Sequence, residues 1–433
     1  MLSKRLLRKQ KKLWLILKIR FLPLQSPWGG VIYNGQEQSP VWNNYDPDKL
    51  TIGGTTSAIN AGTYVATFTP KGDYKWADGT KAAKSINWSI GKAPSSFSLS
   101  KTDLMLNIAN LSDTVNVIKE GDGAVSAVSS DDAIASVSVS GTRITVTALK
   151  KGDTTITIKV LEGTNHTASM ASAFPVTVDL PSKVLAENTP TYIQAAAKAG
   201  MAANLWSVGD VAPITLNGSD GSTTFTDQTV YAYIIGFDHN PSLEGNNSIH
   251  FQFGKNADGD NIVFTSEQHY DHGNTYTIYP YTMNSESTGT SDGWKGSRMR
   301  NTYCSRFLTC LPEEWQDIIT PCNKYTNNKG YNATEGDVTP TKDKIWLLSE
   351  FEVYGLCTGA YSVEQNYQQQ YAYYANGNSK IKYKENDPAT PCIWWLRSVY
   401  DKSYCFCQVN AKGEIGYSRP EYSYGFAPGF MVA

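Results

Sequence analysis

Several residue patterns that identify common protein classes are absent from the sequence. No apolar run approaches the roughly 20 residues that a transmembrane helix needs, so we expect no membrane insertion. Charged residues make up 18% of the chain and hydrophobic residues 40%, which excludes a disordered tail and a coiled coil. HExxH, paired CxxC, P-loop and Rossmann motifs do not occur. We therefore predict a folded, multidomain protein that is not an enzyme.

Basic charge is concentrated at the N-terminus, where residues 1–30 hold eight Lys and Arg side chains and no acid. Residues 31–433, with 30 basic and 40 acidic groups, carry a formal net charge of −10, against −2 for the whole chain. This acidity disfavours nucleic acid and anionic membranes as partners. The leader fits a basic surface helix, a degenerate export signal or an upstream extension. We favour the extension, because its apolar stretch LWLIL is short for a signal peptide.

Residues 31–93 contain short alternating segments separated by turn residues, which predict β-strands. Trp42, Trp76 and Trp88 are expected in core packing rather than on a ligand platform. The phrases YNGQEQSPVW, AGTYVATFTPKGDYKWADGT and INWSIGKA closely resemble the small bacterial Ig-like modules of adhesin stalks and phage tail proteins. That resemblance implies a β-sandwich spacer.

Residues 94–180 begin at a linker, APSS, and then return to strands with period-two alternation. The ordered features SSDDAIASVS, VTALKKGDTTITI and PVTV resemble the group 2 bacterial Ig-like domain, which also occurs in invasin- and intimin-type stalks. The resemblance implies a second β-sandwich spacer.

Residues 181–433 hold all seven Cys and 22 of the 26 Tyr. Thr189 and Pro190 predict a helix start, LPEEWQDII predicts a second helix, and Ser349 and Ser362 predict capping boxes. The last 40 residues return to strands, including CIWWLRSVY, SYCFCQVNA, EIGYS and YGFAPGFMVA. Early helices followed by antiparallel strands predict an α+β domain.

This C-terminal segment contains the phrases LWSVGD, DGWKGSRMR, LPEEW, KIWLLSEFEVYG, IWWLRSV and YGFAPGFMV. They resemble the uncharacterised C-terminal domain common in proteins of gut Firmicutes and their phages. That domain is similar to the C-type-lectin-like fold of bacterial adhesins, phage receptor-binding proteins and formylglycine-generating enzymes. The resemblance implies a fold, and no settled activity comes with it.

Two features of this domain suggest side-chain roles. Trp394 and Trp395 lie in an apolar run suited to a buried strand. Arg298 and Arg300, together with Glu350 and Glu352, are expected to form internal ion pairs, with an anion or sugar-acid subsite as the alternative.

The segment between Trp395 and Phe426 is rich in Tyr, Ser, Asn and Gly, which is typical of adaptable recognition surfaces. An ordinary Tyr-rich edge is the alternative. We predict the following ligand contacts: Tyr400, Tyr404, Asn410, Tyr417, Arg419, Glu421, Tyr422 and Tyr424.

Metal and cofactor sites are not expected. His269 and His272 lie in HYDH, but further ligands at zinc spacing are not evident. Residues 256–261 have a Ca²⁺-loop composition without EF-hand spacing, so we predict a turn rather than a Ca²⁺ site. Cys405 and Cys407 are expected on one strand face, which suits neither a mutual disulfide nor a zinc knuckle.

Together these observations predict a mainly β, multidomain protein: a leader over 1–30, Ig-like β-sandwich modules over 31–93 and 94–180, and an α+β C-type-lectin-like domain over 181–433. The predicted function is binding of a cell-surface glycan or protein receptor, most simply as a phage tail fibre or tail-tip protein in a virion. Alternatives are a bacterial surface adhesin, a structural virion component and a carbohydrate-active enzyme. Tail fibres are often trimers, so a homo-oligomer fits, although no trimerisation coil is encoded.

Overall fold

The computed structural model describes residues 21–22, 27–28, 30–221, 223–265, 281–285, 288–385 and 387–433. The chain divides into two compact units, Met1–Asp179 and Leu180–Ala433. It is mainly β and contains packed β-sheets in both units. Among the described residues, no helix combines the length and apolar character needed to cross a membrane.

The first module is built on a four-stranded sheet in the order β3-β8-β6-β5, in which only β3 runs parallel to its neighbour. Trp76 and Trp88 are almost fully buried and Trp42 packs against the same core, as predicted. The strands are β1 (Phe21–Leu22), β2 (Pro27–Trp28), β3 (Val31–Ile32), β4 (Val41–Trp42), β5 (Leu50–Gly54), β6 (Gly62–Pro70), β7 (Lys75–Trp76) and β8 (Lys84–Gly91).

The end of the predicted leader forms part of this module. Strand β1 pairs with β7, and β2 pairs with β4. The expectation that residues 1–30 lie outside a folded domain therefore fails for these two short strands. Residues 1–20 lie outside the described residues.

The second module is a sandwich of two four-stranded sheets, β10-β16-β15-β12 and β13-β14-β11-β9. Alternate residues of β14 and β15, such as Ile144, Val146 and Ile156, are fully buried, so one face of each strand forms the core. Its strands are β9 (Ser96–Leu99), β10 (Leu104–Asn107), β11 (Ser112–Glu120), β12 (Val125–Ser129), β13 (Ala135–Ser140), β14 (Arg143–Ala148), β15 (Gly152–Val160) and β16 (Ser172–Asp179).

A loop of the second module joins the two modules into one unit. The Asn165 Oδ1 accepts a hydrogen bond from the Ala61 amide at 2.8 Å, and its Nδ2 donates to Asn60 Oδ1 at 3.1 Å. The His166 ring packs edge-on against Tyr33 with the centroids 5.2 Å apart. These contacts fix the orientation of the two modules relative to each other.

We expect Asn165→Ala to loosen this junction, because the Ala61 amide loses its acceptor. The change should lower the unfolding free energy by about 1 kcal/mol, and hydrogen exchange should show faster exchange at Ala61. Asn165→Asp keeps the Oδ1 acceptor and serves as the matched control. Equal exchange at Ala61 in the wild type and Asn165→Ala would contradict the assignment.

The second unit combines a six-stranded antiparallel sheet, short helices and three smaller sheets. Its helices are α1 (Pro190–Lys198), α2 (Ala202–Leu205), α3 (Pro241–Glu244), α4 (Gly293–Gly296), α5 (Ser305–Cys310), α6 (Glu313–Ile318), α7 (Glu350–Tyr354) and α8 (Ala372–Ala375), with a π-helical turn at Met299–Cys304 and 3-10 turns at Leu185–Glu187, Glu335–Asp337 and Ser362–Tyr367. Its strands are β17 (Val211–Ser219), β18 (Thr224–Phe237), β19 (Ile249–Lys255), β20 (Ile262–Val263), β21 (Ile319–Thr320), β22 (Cys322–Asn327), β23 (Val338–Asp343), β24 (Ile345–Trp346), β25 (Lys382–Lys384), β26 (Asp387–Cys392), β27 (Trp394–Val399), β28 (Phe406–Val409), β29 (Ile415–Ser418) and β30 (Gly429–Val432).

The C-terminal strand lies in the interior of the main sheet. Strand β30 pairs with β19 on one side and with β21 and β24 on the other. Its residues Phe430, Met431 and Val432 are buried. The last residues of the chain therefore close the core of this unit.

Most local predictions for this unit are confirmed, including the helix start at Thr189 and Pro190, whereas the capping box at Ser362 does not form. The helix at LPEEWQDII, the capping box at Ser349 and the strand at IWWLRSV all form. Thr189 is the N-cap of α1 but makes no side-chain cap hydrogen bond. Ser362 begins a 3-10 turn, and the predicted capping box does not form.

Lys382 on β25 is a buried amine without an acidic partner. Its Nζ donates to the Tyr233 hydroxyl at 2.9 Å and faces the rings of Tyr233 and Trp394. Within the described residues no carboxylate lies within 4.0 Å of this nitrogen. Burial, together with the nearby Lys255, lowers the pKa of Lys382 to about 7.

This lowered pKa predicts that Lys382→Met stabilises the protein at neutral pH. Between pH 10.5 and about 7 the unfolded chain binds the proton more tightly, so folding stability falls as the pH is lowered through that range. The variant should have a higher melting temperature at pH 7 and no advantage near pH 10.5. Lys384→Met, on the same strand, is the control for thermal denaturation. An equal rise in melting temperature in Lys384→Met, or no rise in Lys382→Met, would contradict the assignment.

Candidate functional site

A buried ion network lies beneath the C-terminal strands. Helix α7 places Glu352 inside the core, where both oxygens accept from the Arg397 guanidinium, at 2.9 Å for Nη2 and Oε1. Lys324 donates to Glu352 at 3.1 Å and to both oxygens of Glu244 at 3.0 Å. All four side chains are at least 95% buried, so two cations and two carboxylates balance without solvent.

Two further buried acids hold irregular backbone. The Glu350 carboxylate accepts from the backbone amides of Thr358, Gly359 and Ala360. Glu364 accepts from the amide of Asn327 at 2.8 Å and from the Ser398 hydroxyl at 2.7 Å. These acids replace the regular hydrogen bonds that the loops lack.

The internal ion pairs predicted from the sequence form with different partners. Arg300 pairs with Asp343 at 2.7 Å, and the Arg298 guanidinium lies over the Tyr303 ring. Neither arginine reaches Glu350 or Glu352. The sequence-based pairing is therefore wrong, because the topology brings β22 and β27 to α7 instead.

His239, Glu244 and His250 form the group whose ligand atoms lie within 4.8 Å of one another, the arrangement a metal ion would need. The Lys324 ammonium already contacts both Glu244 oxygens at that place. Although burial opposes it, this ammonium and His239 lower the pKa of Glu244 to about 2. Lys324 therefore supplies the positive charge that a metal would otherwise bring. His269 and His272 lie outside the described residues.

We expect Glu352→Gln to destabilise the protein strongly, because Arg397 would remain buried without its counter-charge. Removing one partner of a buried pair costs about 3–5 kcal/mol of unfolding free energy. Urea denaturation should show this loss, and the double variant Glu352→Gln with Arg397→Met should recover part of it. A double variant less stable than Glu352→Gln alone would contradict the pairing.

An open groove of about 650 Å³ lies among the loops that flank strands β28 and β29. One wall comes from the loop between β27 and β28 and from the segment after β29, and the other comes from residues 288–291. The lining residues are Thr288, Gly289, Ser291, Ser403, Tyr404, Cys405, Arg419, Pro420 and Glu421.

Asn284 fixes the relative position of the two walls. It is 96% buried, and its backbone amide donates to the Pro420 carbonyl at 3.0 Å. Its side-chain amide donates to the Gly289 carbonyl at 2.9 Å, and its Oδ1 accepts from the Arg298 amide at 2.8 Å. The side chain and backbone amide of this one residue thus tie three loop segments together.

Three of the eight predicted contact residues line this groove. Tyr404 is 65% exposed, and its ring packs on Tyr331 with the centroids 4.9 Å apart. The Arg419 side chain is 63% exposed, and its Nη1 lies 4.0 Å from the Glu421 carboxylate, which is only 11% exposed. An aromatic face, a guanidinium and a carboxylate therefore share one concave surface.

The other five predicted contacts lie elsewhere. Tyr400 and Tyr417 stack with ring centroids 3.9 Å apart, and Tyr424 packs on Trp395. Tyr422 lies edge-on to Tyr424, in the turn after β29. Asn410 forms the β28–β29 turn, where its Oδ1 accepts from the amides at 412 and 414. Strand rise puts it roughly 16 Å from Cys405 in the groove.

The sequence analysis did not identify the groove wall formed by residues 288–291. Its residues 289–293 have the spacing GxSxG, which is a signal that pattern reading could have found. Ser291 follows turn residues rather than a strand, and α4 after it has four residues. The strand–turn–helix setting of a hydrolase nucleophile is therefore not formed here.

The cysteines are free thiols, and burial raises the pKa of several of them. All seven are unpaired, and Cys405 lies just before β28 while Cys407 lies within it. Burial raises the pKa of Cys310 and of Cys392 to about 11, and raises those of Cys304 and Cys407 well above the ordinary value. A raised pKa suppresses the thiolate that nucleophilic chemistry needs.

A second cavity, of about 630 Å³, lies in the second Ig-like module along β9 and residues 169–174. Its only charged lining residue, Lys101, is paired with Asp113 at 2.7 Å. Its polar lining consists mainly of serine and threonine hydroxyls, whereas the groove of the C-terminal unit brings an exposed aromatic ring, a guanidinium and a carboxylate together, so the groove is the stronger candidate. Residues 256–261 form a turn closed by Asn256 and Asp260, as predicted.

The comparisons with known proteins give a family match over the segment that contains the groove. Residues 273–433 match the family described as a domain of unknown function, DUF6273. No curated protein matches the sequence.

Several solved structures of surface proteins are similar to parts of the chain. Domains 4 and 5 of the S-layer protein SbsC are 15% identical over 37% of this chain and 99% of theirs, with a TM-score of 0.18. The Escherichia coli adhesin FdeC is 12% identical over 48% of this chain and 71% of its own, with a TM-score of 0.18. A C-terminal intimin fragment, solved with the intimin-binding domain of its receptor, is 14% identical over 50% of this chain and 92% of its own, with a TM-score of 0.21. At these TM-scores the likeness does not extend to the whole chain.

Proposed function

We propose that the chain is a surface-binding protein in which two Ig-like spacer modules precede a C-type-lectin-like recognition domain. The recognition domain binds a cell-surface glycan or protein receptor through its groove. The observation that carries this proposal is the meeting of Tyr404, Arg419 and Glu421 on one concave surface. A recognition site requires exposed aromatic and charged groups that are held in defined positions.

The proposal covers both settings expected from the sequence, a phage tail protein and a bacterial adhesin, because each attaches to a cell surface. Catalysis is the less favoured function. The cysteines with raised pKa values are protonated at neutral pH, and Ser291 lacks the strand–turn–helix setting of a nucleophile.

We expect Tyr404→Ala and Arg419→Ala each to weaken binding of the full chain to whole cells of a panel of gut bacteria by about tenfold or more. Both side chains are largely exposed, so thermal melting should stay unchanged. Flow cytometry with labelled protein measures the binding.

Arg306→Ala removes an exposed arginine outside the groove and is the matched control for Arg419→Ala. Tyr417→Ala, at 54% exposure and also outside the groove, is the control for Tyr404→Ala. Absence of cell binding across the panel, or equal binding by groove and control variants, would overturn the proposal.

A further inference from the structure

His239 is a buried histidine whose two ring nitrogens both face hydrogen-bond acceptors. It is only 5% exposed, and its Nδ1 lies 2.9 Å from Glu244 Oε2. Its Nε2 lies 2.9 Å from the backbone carbonyl oxygen of Gln369, a group that only accepts hydrogen bonds. A neutral imidazole carries one N–H, so it can satisfy only one of these two contacts.

Glu244 does not supply the missing proton. Both of its oxygens accept from the Lys324 ammonium at 3.0 Å. Although burial opposes it, this ammonium lowers the pKa of Glu244 to about 2, so the carboxylate is ionised and only accepts hydrogen bonds. The two contacts of His239 therefore form together only when its ring is an imidazolium, which donates from each nitrogen.

The surroundings of His239 suit a charged ring that holds a loop in place. The imidazole stacks on the Tyr371 ring, with the centroids 3.8 Å apart and the planes 19° apart, which favours a cation over an aromatic face. On either side of His239, Asp238 and Asn240 both have a φ of 45°. Residues other than glycine adopt this left-handed conformation only when their surroundings impose it. The contacts of His239 supply such a constraint.

A proton on His239 adds a positive charge to a cluster whose charges already balance. The neighbouring network of two cations and two carboxylates is neutral without it. The hydrogen bonds therefore favour the proton, and the nearby Lys324 ammonium opposes it. The titratable groups packed around the ring are Glu244 on α3, His250 on β19, Cys322 and Lys324 on β22, Glu352 on α7 and Tyr371 before α8.

From this geometry we propose that His239 is a pH-sensitive clamp between the loop 238–244 and the segment 367–371. In acid, the imidazolium donates to Glu244 and to the Gln369 carbonyl and joins the two. When the ring loses a proton, the remaining N–H stays on Glu244, because hydrogen bonds to charged groups are the stronger ones. The ring lone pair then faces the Gln369 carbonyl oxygen, so this contact opens. The clamp therefore loosens as the pH rises, and none of its residues lines the groove.

His250 provides a comparison within the same cluster. Its ring centroid lies 5.4 Å from that of His239, and it is fully buried. Its Nδ1 lies 3.1 Å from the Tyr371 hydroxyl, and among the described residues its Nε2 has no hydrogen-bond partner. Burial holds the pKa of His250 well below the ordinary value for histidine. We therefore expect His250 to stay neutral under conditions in which His239 gains its proton.

The first test is heteronuclear NMR of the ring nitrogens in the full chain, labelled isotopically at histidine, between about pH 5 and about pH 8, where imidazole ordinarily titrates. The chain holds five histidines, so the signals missing from His239→Gln and from His250→Gln assign these two rings. We expect His239 to carry two ring protons at the acid end and one at the alkaline end, while His250 carries one throughout. A His239 ring that is neutral at the acid end would overturn the proposal.

The second test asks whether the proton holds the segment. The Tyr371 amide donates to the Glu352 carbonyl at 2.9 Å, so its hydrogen exchange reports on the segment 367–371. Its protection factor, corrected for the intrinsic effect of pH on exchange, should fall about tenfold from the acid to the alkaline end, as the loss of one charge-assisted hydrogen bond implies.

His239→Gln carries no titrating ring, so its Tyr371 protection should not follow the pH, whereas the matched control His250→Gln should behave as the wild type does. An equal pH dependence in His239→Gln would contradict the clamp. If that variant does not fold, the wild type alone decides: His239 titration without a change in Tyr371 protection rules the clamp out.

Discussion

The pairing of Glu352 with Arg397 and Lys324 is the constraint on which the C-terminal unit depends. It joins α7, β22 and β27 in the buried core. Lys324 on β22 and Arg397 on β27 are more than 70 residues apart in the sequence. Burying these charges costs far more than an apolar contact would, so the arrangement is stable only with every partner present. A network with that property specifies one packing of its elements rather than an ensemble.

The loops of the C-terminal unit depend on buried side chains for their shape. The unit has few long regular elements, and buried acids such as Glu350 and Glu364 accept the backbone amides that helices or sheets would otherwise use. Asn284 does the same for the groove, since its side chain bonds residues 289 and 298 and its backbone amide bonds residue 420. Irregular backbone is thereby held almost as firmly as a strand, which lets a loop-built surface keep a defined shape.

Local sequence patterns predicted many of the helices and strands but few of the contacts in the candidate site. The Ser349 capping box, the helix at Glu313 and the buried strand of Trp394 and Trp395 follow from neighbouring residues, and all form. Which carboxylate meets which arginine depends on register between distant elements, so the pairing of Arg300 was predicted wrongly. Composition marked Tyr404, Arg419 and Glu421, but it could not separate them from Tyr424 or Asn410, because only the fold decides which polar residues converge.

The carboxylates of this unit differ in what stabilises them. Glu352 meets cations, Glu350 meets backbone amides, and burial raises the pKa of Glu385 to about 7, so that it reduces its charge by binding a proton. Each of these arrangements resolves the cost of burial inside the protein. Glu421 differs from these acids, because its side chain is 11% exposed on an open groove and its guanidinium neighbour lies at 4.0 Å, beyond hydrogen-bond distance. A carboxylate and a guanidinium that do not bond to each other keep their hydrogen-bonding capacity for a partner in the groove, as the proposed recognition function requires.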